Sequence, residues 1–288
     1  MSGAGAGEPV PAATTDDGAP RGGRPGGVRE PLLLIHGLGA GAGVWDPVVP
    51  LLAADFEVIA LDLPGFGGAP SLPPGVEPTA AALAGALRDQ LAARGIERPH
   101  VAGNSLGGWV GLELGRIGAA RSVTCLSPAG LWRKPIGPSE SMTREWARRL
   151  RPAVGLALRI GPVRRRALST FSAHPKRVPA AAGRELVLGW IDADGYDGAN
   201  KAMREHVFQP AGYPAPAEVP VTVAWAELDQ LVGPPRPECR PAGARFVVLP
   251  DVGHTPMWDD PELVARTILE GSGRVGSEEP VTSEGGAP

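Results

Sequence analysis

The stretch Val101–Gly115, VAGNSLGGWVGLELG, constrains the fold of this 288-residue chain more than any other. Pro99 to Ala102 reads as a short buried strand. Gly108 onward reads as a helix whose Trp109, Leu112 and Leu114 pack inward. Between them, Gly103-Asn104-Ser105-Leu106-Gly107 matches G-x-S-x-G. A strand that becomes a helix within so few residues must turn very tightly. Glycines flank the serine because a Cβ there would collide with the neighbouring strand or helix. The turn lifts the Ser105 hydroxyl to the carboxyl edge of a sheet, where backbone N–H groups and a helix N-terminus converge. The bare pattern also fits an ordinary glycine-rich turn, so the rest of the chain decides.

Apolar runs alternate with helical patterns on both sides of this unit. Leu32–Ile35 is entirely apolar, as expected of a strand covered on both faces, and ends in His36-Gly37-Leu38-Gly39. A helix is expected over Val44–Ala53, a strand over Phe56–Leu61 with a turn at Asp62–Gly68, and a helix over Thr79–Arg94. Ser122–Leu126, Val219–Trp225 and Phe246–Leu249 read as further strands. Pro261–Glu270 closes the pattern, with Asp260 as N-cap and Pro261 in first position. Such alternation predicts an α/β fold with a doubly wound, mostly parallel sheet. Ligands on these sheets bind outside the carboxyl ends of the strands, where His36, Asp62, Ser105, Ser127, Asp229 and His254 all fall.

Between residues 131 and 218 the alternation breaks into helical patches punctuated by Pro and Gly, among them Trp132, Trp146 and Trp190. The expected organisation is a core of residues 29–130 and 219–271, an inserted helical lid at 131–218, and disordered tails at 1–28 and 272–288, which lack apolar periodicity.

Hydrophobic residues make up 43% of the chain, enough for a sizeable core, and a net charge of −3 provides no global field for nucleic acid. Cys125 and Cys239 form neither a disulfide framework nor a metal-type spacing, and Cys125 in its apolar strand reads as a small buried residue. No leader-like apolar region and no membrane-spanning run occurs, so a cytoplasmic location is expected. Charge is nevertheless uneven. From Trp132 to Arg177 twelve Lys or Arg stand against Glu140 and Glu145, leaving +10. Either this is a solvated basic face, or it draws in an anion: a carboxylate-bearing substrate, an acyl carrier protein or an anionic membrane surface. In the second case Trp146, Leu150, Leu156, Leu158 and Ile160 are expected to line the pocket or pack the lid onto the core.

A reactive serine needs a base, and the base needs an orienting acid. His254 lies in DVGHTP just past the last strand, and Asp229 in WAELD just past the strand before it. Glu227, Asp251 and Asp259 are rival acids, and a loop-holding role is the alternative for His254. Ser127–Trp132 contains no carboxylate. His36 is expected to order its loop, Asp62 to cap a turn, and His100, His174 and His206 to be structural or exposed.

The segments LLLIHGLGAG, VIALDLPGFGG, VAGNSLGG, VTVAWAELDQLV and VLPDVGHTPMWDDP, in that order, resemble lid-bearing serine α/β-hydrolases over residues 31–131 and 218–271. The resemblance implies Ser105 as nucleophile, Asp229 as acid, His254 as base, and an oxyanion hole of the Leu38 and Leu106 N–H groups. The expected pocket includes His36, Gly37, Trp132, Trp190 and Met257. No metal or organic cofactor is implied. The expected reaction is carboxylesterase-like, on a small ester, a thioester or a carbon–carbon bond next to a carbonyl. The alternatives are a lyase, acyltransferase or cyclase, or a binding protein on the same fold. A small-molecule substrate and a monomer or homodimer are expected. Two departures stand out. Residues 1–28 offer no pair of antiparallel strands before Leu32, and Gly233–Pro237 and Pro241 leave little room for a helix between the last two strands.

Overall fold

Apolar runs of five or six residues become the strands of one sheet. In the computed structural model, which describes residues 29–137, 142–215 and 217–274, they are β1 (Glu30–Ile35), β2 (Phe56–Leu61), β3 (His100–Asn104), β4 (Ser122–Leu126), β5 (Val221–Ala226) and β6 (Arg245–Leu249). All pair in parallel, in the order β2-β1-β3-β4-β5-β6. The chain winds outward from β1 to β2, then returns past β1 to β3. The strand order therefore reverses between β1 and β3, which opens a crevice at their carboxyl ends.

Alternate side chains on each strand serve opposite layers, because successive Cβ atoms point to opposite faces. Leu33 and Ile35 pack with Leu83, Leu87 and Leu91 of α2 (Ala80–Ala92) and Val110 and Leu114 of α3 (Leu106–Arg116). Leu32 and Leu34 pack on the other side with Trp45, Leu52 of α1 (Val49–Leu52), and Val264 and Ile268 of α9 (Pro261–Gly271). Thr79 Oγ1 caps α2 by accepting from Ala82 N–H, and Asp260 Oδ1 caps α9 by accepting from Leu263 N–H at 2.8 Å.

The helix expected over Val44–Ala53 is split into a 3₁₀ turn at Ala42–Trp45 and the single turn of α1. Pro47 has no N–H and its ring would meet the carbonyl of Gly43, so one continuous helix cannot pass through it. Val44, Trp45, Val48 and Leu52 are buried all the same. Among the described residues, five helices lie between β4 and β5: α4 (Met142–Arg149), α5 (Arg151–Ala157), α6 (Gly161–Leu168), α7 (Ala180–Asp192) and α8 (Tyr196–Glu205). Between β5 and β6 only a 3₁₀ turn, Pro237–Cys239, forms among the prolines.

Residues 272–274, expected to open the tail, stay bonded to α9, and residues 275–288 lie outside the described residues. Ser272 and Arg274 N–H groups donate to Ile268 and Leu269 at 3.0 and 2.9 Å. The Arg274 guanidinium pairs with Glu30 and lies 5.0 Å over the Phe56 ring. This contact between distant parts of the chain has no local sequence signal. Residues 1–28, and the absence of strands expected there, lie outside the described residues.

Candidate active site

The serine turn is built by close approach. A Cβ on Gly103 would lie 2.2 Å from the Gly107 carbonyl oxygen, and one on Gly107 would lie 2.4 Å from that of Ile35. Glycine at both positions lets α3 start at once, at Leu106 rather than at Gly108. Ser105 sits at φ 53° and ψ −118°, a conformation that costs an L-residue about 1–3 kcal/mol. Hydrogen bonds hold it there. Its N–H donates to Leu126 at 3.0 Å, and its carbonyl accepts from Ala129 and Trp109.

The loop after β1 passes close beside it, so that a Cβ on Gly37 would lie 3.1 Å from Ser105 Cβ. His36 sets that loop. Its Nδ1–H donates to the Gly37 carbonyl at 2.8 Å and its Nε2 accepts from Leu63 N–H at 2.9 Å. Burial depresses its pKa, outweighing the Gly37 bond and the Asp62 charge, and the neutral ring is the form that makes both bonds. Asp62 accepts from Ala42 and Gly68 N–H groups at 2.7 and 3.0 Å. Leu106 N–H is the first of α3 and has no intrahelical acceptor. Neither it nor Leu38 N–H has a backbone acceptor among the described residues.

Asp229, three residues past β5, places Oδ2 2.7 Å from His254 Nδ1, with both side chains almost wholly buried. Its Oδ1 accepts from Leu231 and Val232 N–H groups at 2.8 and 3.0 Å. Burial works to raise the Asp229 pKa. The His254 hydrogen bond and charge, with the two backbone donors, outweigh it and hold the carboxyl below its ordinary value. An ionised Asp229 requires the proton on His254 Nδ1, which leaves Nε2 as an acceptor.

The rival carboxylates have other duties. Glu227 accepts from Asp251 N–H at 3.0 Å, and Asp251 meets His174 Nε2 at 2.9 Å. Asp259 is buried and accepts from Ser172 Oγ and from the Ala173, His174 and Gly253 N–H groups. It thereby ties the α6–α7 connection to the His254 loop. His100 Nδ1 lies 2.8 Å from Ser122 Oγ in the core, and His206 is exposed beside Glu77.

Two positioning residues escape a reading along the chain. Asn104 Nδ2 donates to the carbonyls of His254 and Leu126 at 2.8 and 3.0 Å, joining the ends of β3 and β4 to the loop after β6. Asp259 is the other. A weak signal existed for each: an amide in a buried strand needs acceptors, and of two adjacent aspartates only Asp260 can cap α9.

Ser105 and His254 both line a cavity of about 930 Å³, together with Gly37, Leu38, Trp132, Trp190 and apolar side chains from α7 and α8. Among the described residues its lining contains Arg133, Arg204 and Arg236 but no Asp or Glu. Two expected pocket residues do not reach it. His36 is buried beneath its loop, and Met257 is held in the core under α9. Trp146, Leu150, Leu156 and Ile160 neither line the cavity nor pack onto the core. They are exposed, and only Leu158 of that set is buried. Among the described residues, no three His, Cys, Asp or Glu side chains gather as metal ligands would.

A family model described as the Alpha/beta hydrolase family matches residues 32–267. The chain is 36% identical over 207 residues to an epoxide hydrolase, EphH, of Mycobacterium tuberculosis, covering 66% of this chain and 93% of that one. It is 33% identical over 236 residues to the dihydrolipoyllysine-residue acetyltransferase component of an acetoin cleaving system of Cupriavidus necator. That match covers 80% of this chain but spans only 60% of the relative's length. The enol-lactonase from Burkholderia xenovorans superposes with a TM-score of 0.65 at 22% identity, covering 86% of this chain and 93% of that one, and shares the fold.

Proposed function

The chain belongs to the α/β-hydrolase family and is an enzyme of that class, and from that premise we propose that it is a serine hydrolase acting through Ser105, His254 and Asp229. The observation that carries this reading is the buried 2.7 Å contact between Asp229 and His254, in one cavity with a serine held at positive φ. Asp229 fixes the His254 tautomer and stabilises its charged form. His254 Nε2 takes the Ser105 proton as Oγ attacks a carbonyl carbon. The oxyanion meets the N–H groups of Leu38 and Leu106, and loss of one such donor typically costs about 10²–10³ in rate. Protonated His254 then gives its proton to the leaving group. Water, deprotonated by the same nitrogen, cleaves the acyl-enzyme.

The cavity supports an apolar acyl group bound under α7 and α8, with the insertion serving as a lid. Among the described lining residues, an anionic end on the substrate would meet arginine and no carboxylate. Epoxide opening, the activity in the name of one relative, fits less well. A serine attacking an epoxide carbon would form an ether with no carbonyl for water to attack, whereas an acyl-serine is released by ordinary ester hydrolysis. Transfer of the acyl group to an acceptor other than water is the second reading, raised by the acetyltransferase relative.

A panel of acyl esters, thioesters and vinylogous diketones, assayed with wild type and Ser105→Ala, tests the proposal. Expected are turnover of at least one class, covalent labelling by a fluorophosphonate, and loss of both in the variant. Wild-type activity in Ser105→Ala overturns the assignment. Products appearing on an added acceptor in place of the free acid would establish transfer.

A further inference from the structure

The insertion carries an unusual surface. Trp146, Leu150, Leu156, Ile160 and Val163 recur at near-helical spacing through α4, α5 and α6, and they are 54, 55, 64, 57 and 42% exposed. Helix α5 buries none of its residues. Single exposed apolar residues are ordinary, whereas five in eighteen residues on consecutive elements mark an interaction surface.

The charge around this stripe has one sign. From Trp146 to Arg184 the chain holds ten Lys or Arg and no Asp or Glu. Arg148, Arg149 and Arg151 are answered by Asp194, Glu145 and Asp192. Arg159, Arg164, Arg165 and Arg166, which stand among Leu156, Ile160 and Val163, have no carboxylate partner among the described residues.

We propose that the outward face of α4–α6 docks this protein onto an anionic lipid surface. The aliphatic side chains and Trp146 enter the boundary between headgroups and acyl chains, while the arginines stay at the level of the phosphates. No helix of the described residues is long and apolar enough to cross a membrane, so the contact is peripheral. A second copy of the chain fits the face poorly. Symmetric pairing sets the arginines of α6 against one another, and Glu145 of α4 is already paired with Arg149. An acidic protein would answer the charge. A lipid boundary also takes in protruding Leu, Ile and Val side chains without needing a groove shaped for each.

The test does not depend on the chemistry of Ser105. Full-length protein is sedimented with vesicles of neutral phosphatidylcholine, and with vesicles containing about 30% phosphatidylglycerol. Wild type should partition onto the anionic vesicles and release as salt rises, with little binding to the neutral ones. The triple variants Leu156→Ser/Ile160→Ser/Val163→Ser and Arg159→Gln/Arg165→Gln/Arg166→Gln should each weaken partitioning by about tenfold or more. Their thermal transitions should stay near that of wild type. Should a triple variant unfold, the single variants Leu156→Ser and Arg159→Gln, each altering one exposed side chain, carry the same comparison. Trp emission should shift blue on binding in wild type and less so in Trp146→Phe. Equal binding to both vesicle types, no binding to either, or wild-type binding by both variants overturns the proposal. A concentration-dependent dimer abolished by the apolar variant, without vesicle binding, reassigns the face to a second copy. Salt-sensitive binding to an acidic carrier protein without vesicle binding reassigns it to that class of partner.

Discussion

The crevice at the carboxyl ends of β1, β3, β5 and β6 and the outward face of α4–α6 treat the same kinds of side chain in opposite ways. At the crevice, polar atoms answer one another. His36 is satisfied at both nitrogens, Asp229 accepts from three donors, and Asn104 spans two strand ends. Beneath it, the strand side chains of Leu32 to Ile35 are wholly buried. On the outer face, large apolar side chains meet solvent and arginines outnumber their partners. The first region is complete before any ligand arrives, which is what preorganised chemistry requires. The second is complementary to something outside the chain. Arg144 marks the border between them. It is the buried arginine of α4, donating to the Trp190 and Ala193 carbonyls and to Asp197, with its guanidinium 4.6 Å from the Tyr196 ring.

The sharpest test of this contrast is chemical. Ser105→Ala should lower kcat by about 10⁵ or more without a large change in melting temperature. Activity surviving in pure variant would mean that the crevice is organised around some other group. Asp229→Asn should cost about 10⁴, since the amide favours the wrong His254 tautomer, while Glu227→Gln should stay within a few-fold. Steady-state rates for the two variants side by side decide between the carboxylates, and the reverse ranking would reassign the acid.

Stability separates the regions next. Asp259→Ala strands one hydroxyl and three N–H donors in the join between insertion and His254 loop, and should destabilise the protein by about 3 kcal/mol or more. Leu156→Ser, on the outer face, should change it by about 0.5 kcal/mol or less. Urea unfolding of both variants measures the gap, and equal losses would show that the outer stripe packs internally after all.

The smallest effect is a pH dependence. Burial depresses the pKa of His36 and also of His100, where it outweighs the pull of Glu30. The unfolded chain then binds more protons than the folded one below the ordinary histidine value near 6.5. Their contribution is fully present above that value and is lost as pH falls below it. Urea midpoints should therefore decline from about pH 7.5 to 5.5. The Asp229 pKa is lowered in the same direction but from an acidic starting value, so its contribution is lost only in stronger acid. A flat profile across the histidine window would contradict a neutral, buried His36.

Much of this was legible along the chain. Short, continuous apolar runs located the strands, and Gly103 and Gly107 around Ser105 announced a close crossing, because these signals depend only on neighbours in sequence. Pro47 was equally visible, and it breaks the helix that the surrounding apolar spacing suggests. Tertiary structure decided the rest. Asp229 and Glu227 stand two residues apart in the same loop, and only the path of the chain after β5 brings one to His254 and sends the other to Asp251 N–H. Asn104 and Asp259 act across 150 and 87 residues. The spacing of Trp146, Leu150, Leu156 and Ile160 records that they share a side of their helices, but a helical period does not say which side another surface will cover. The +10 of the segment likewise shrinks once Asp192, Asp194 and Asp197, in α7, α8 and the turn between them, come within reach of its arginines. Periodicity and turn chemistry are written locally. Which carboxylate answers which cation, and whether an apolar stripe faces in or out, are settled by the meeting of distant segments.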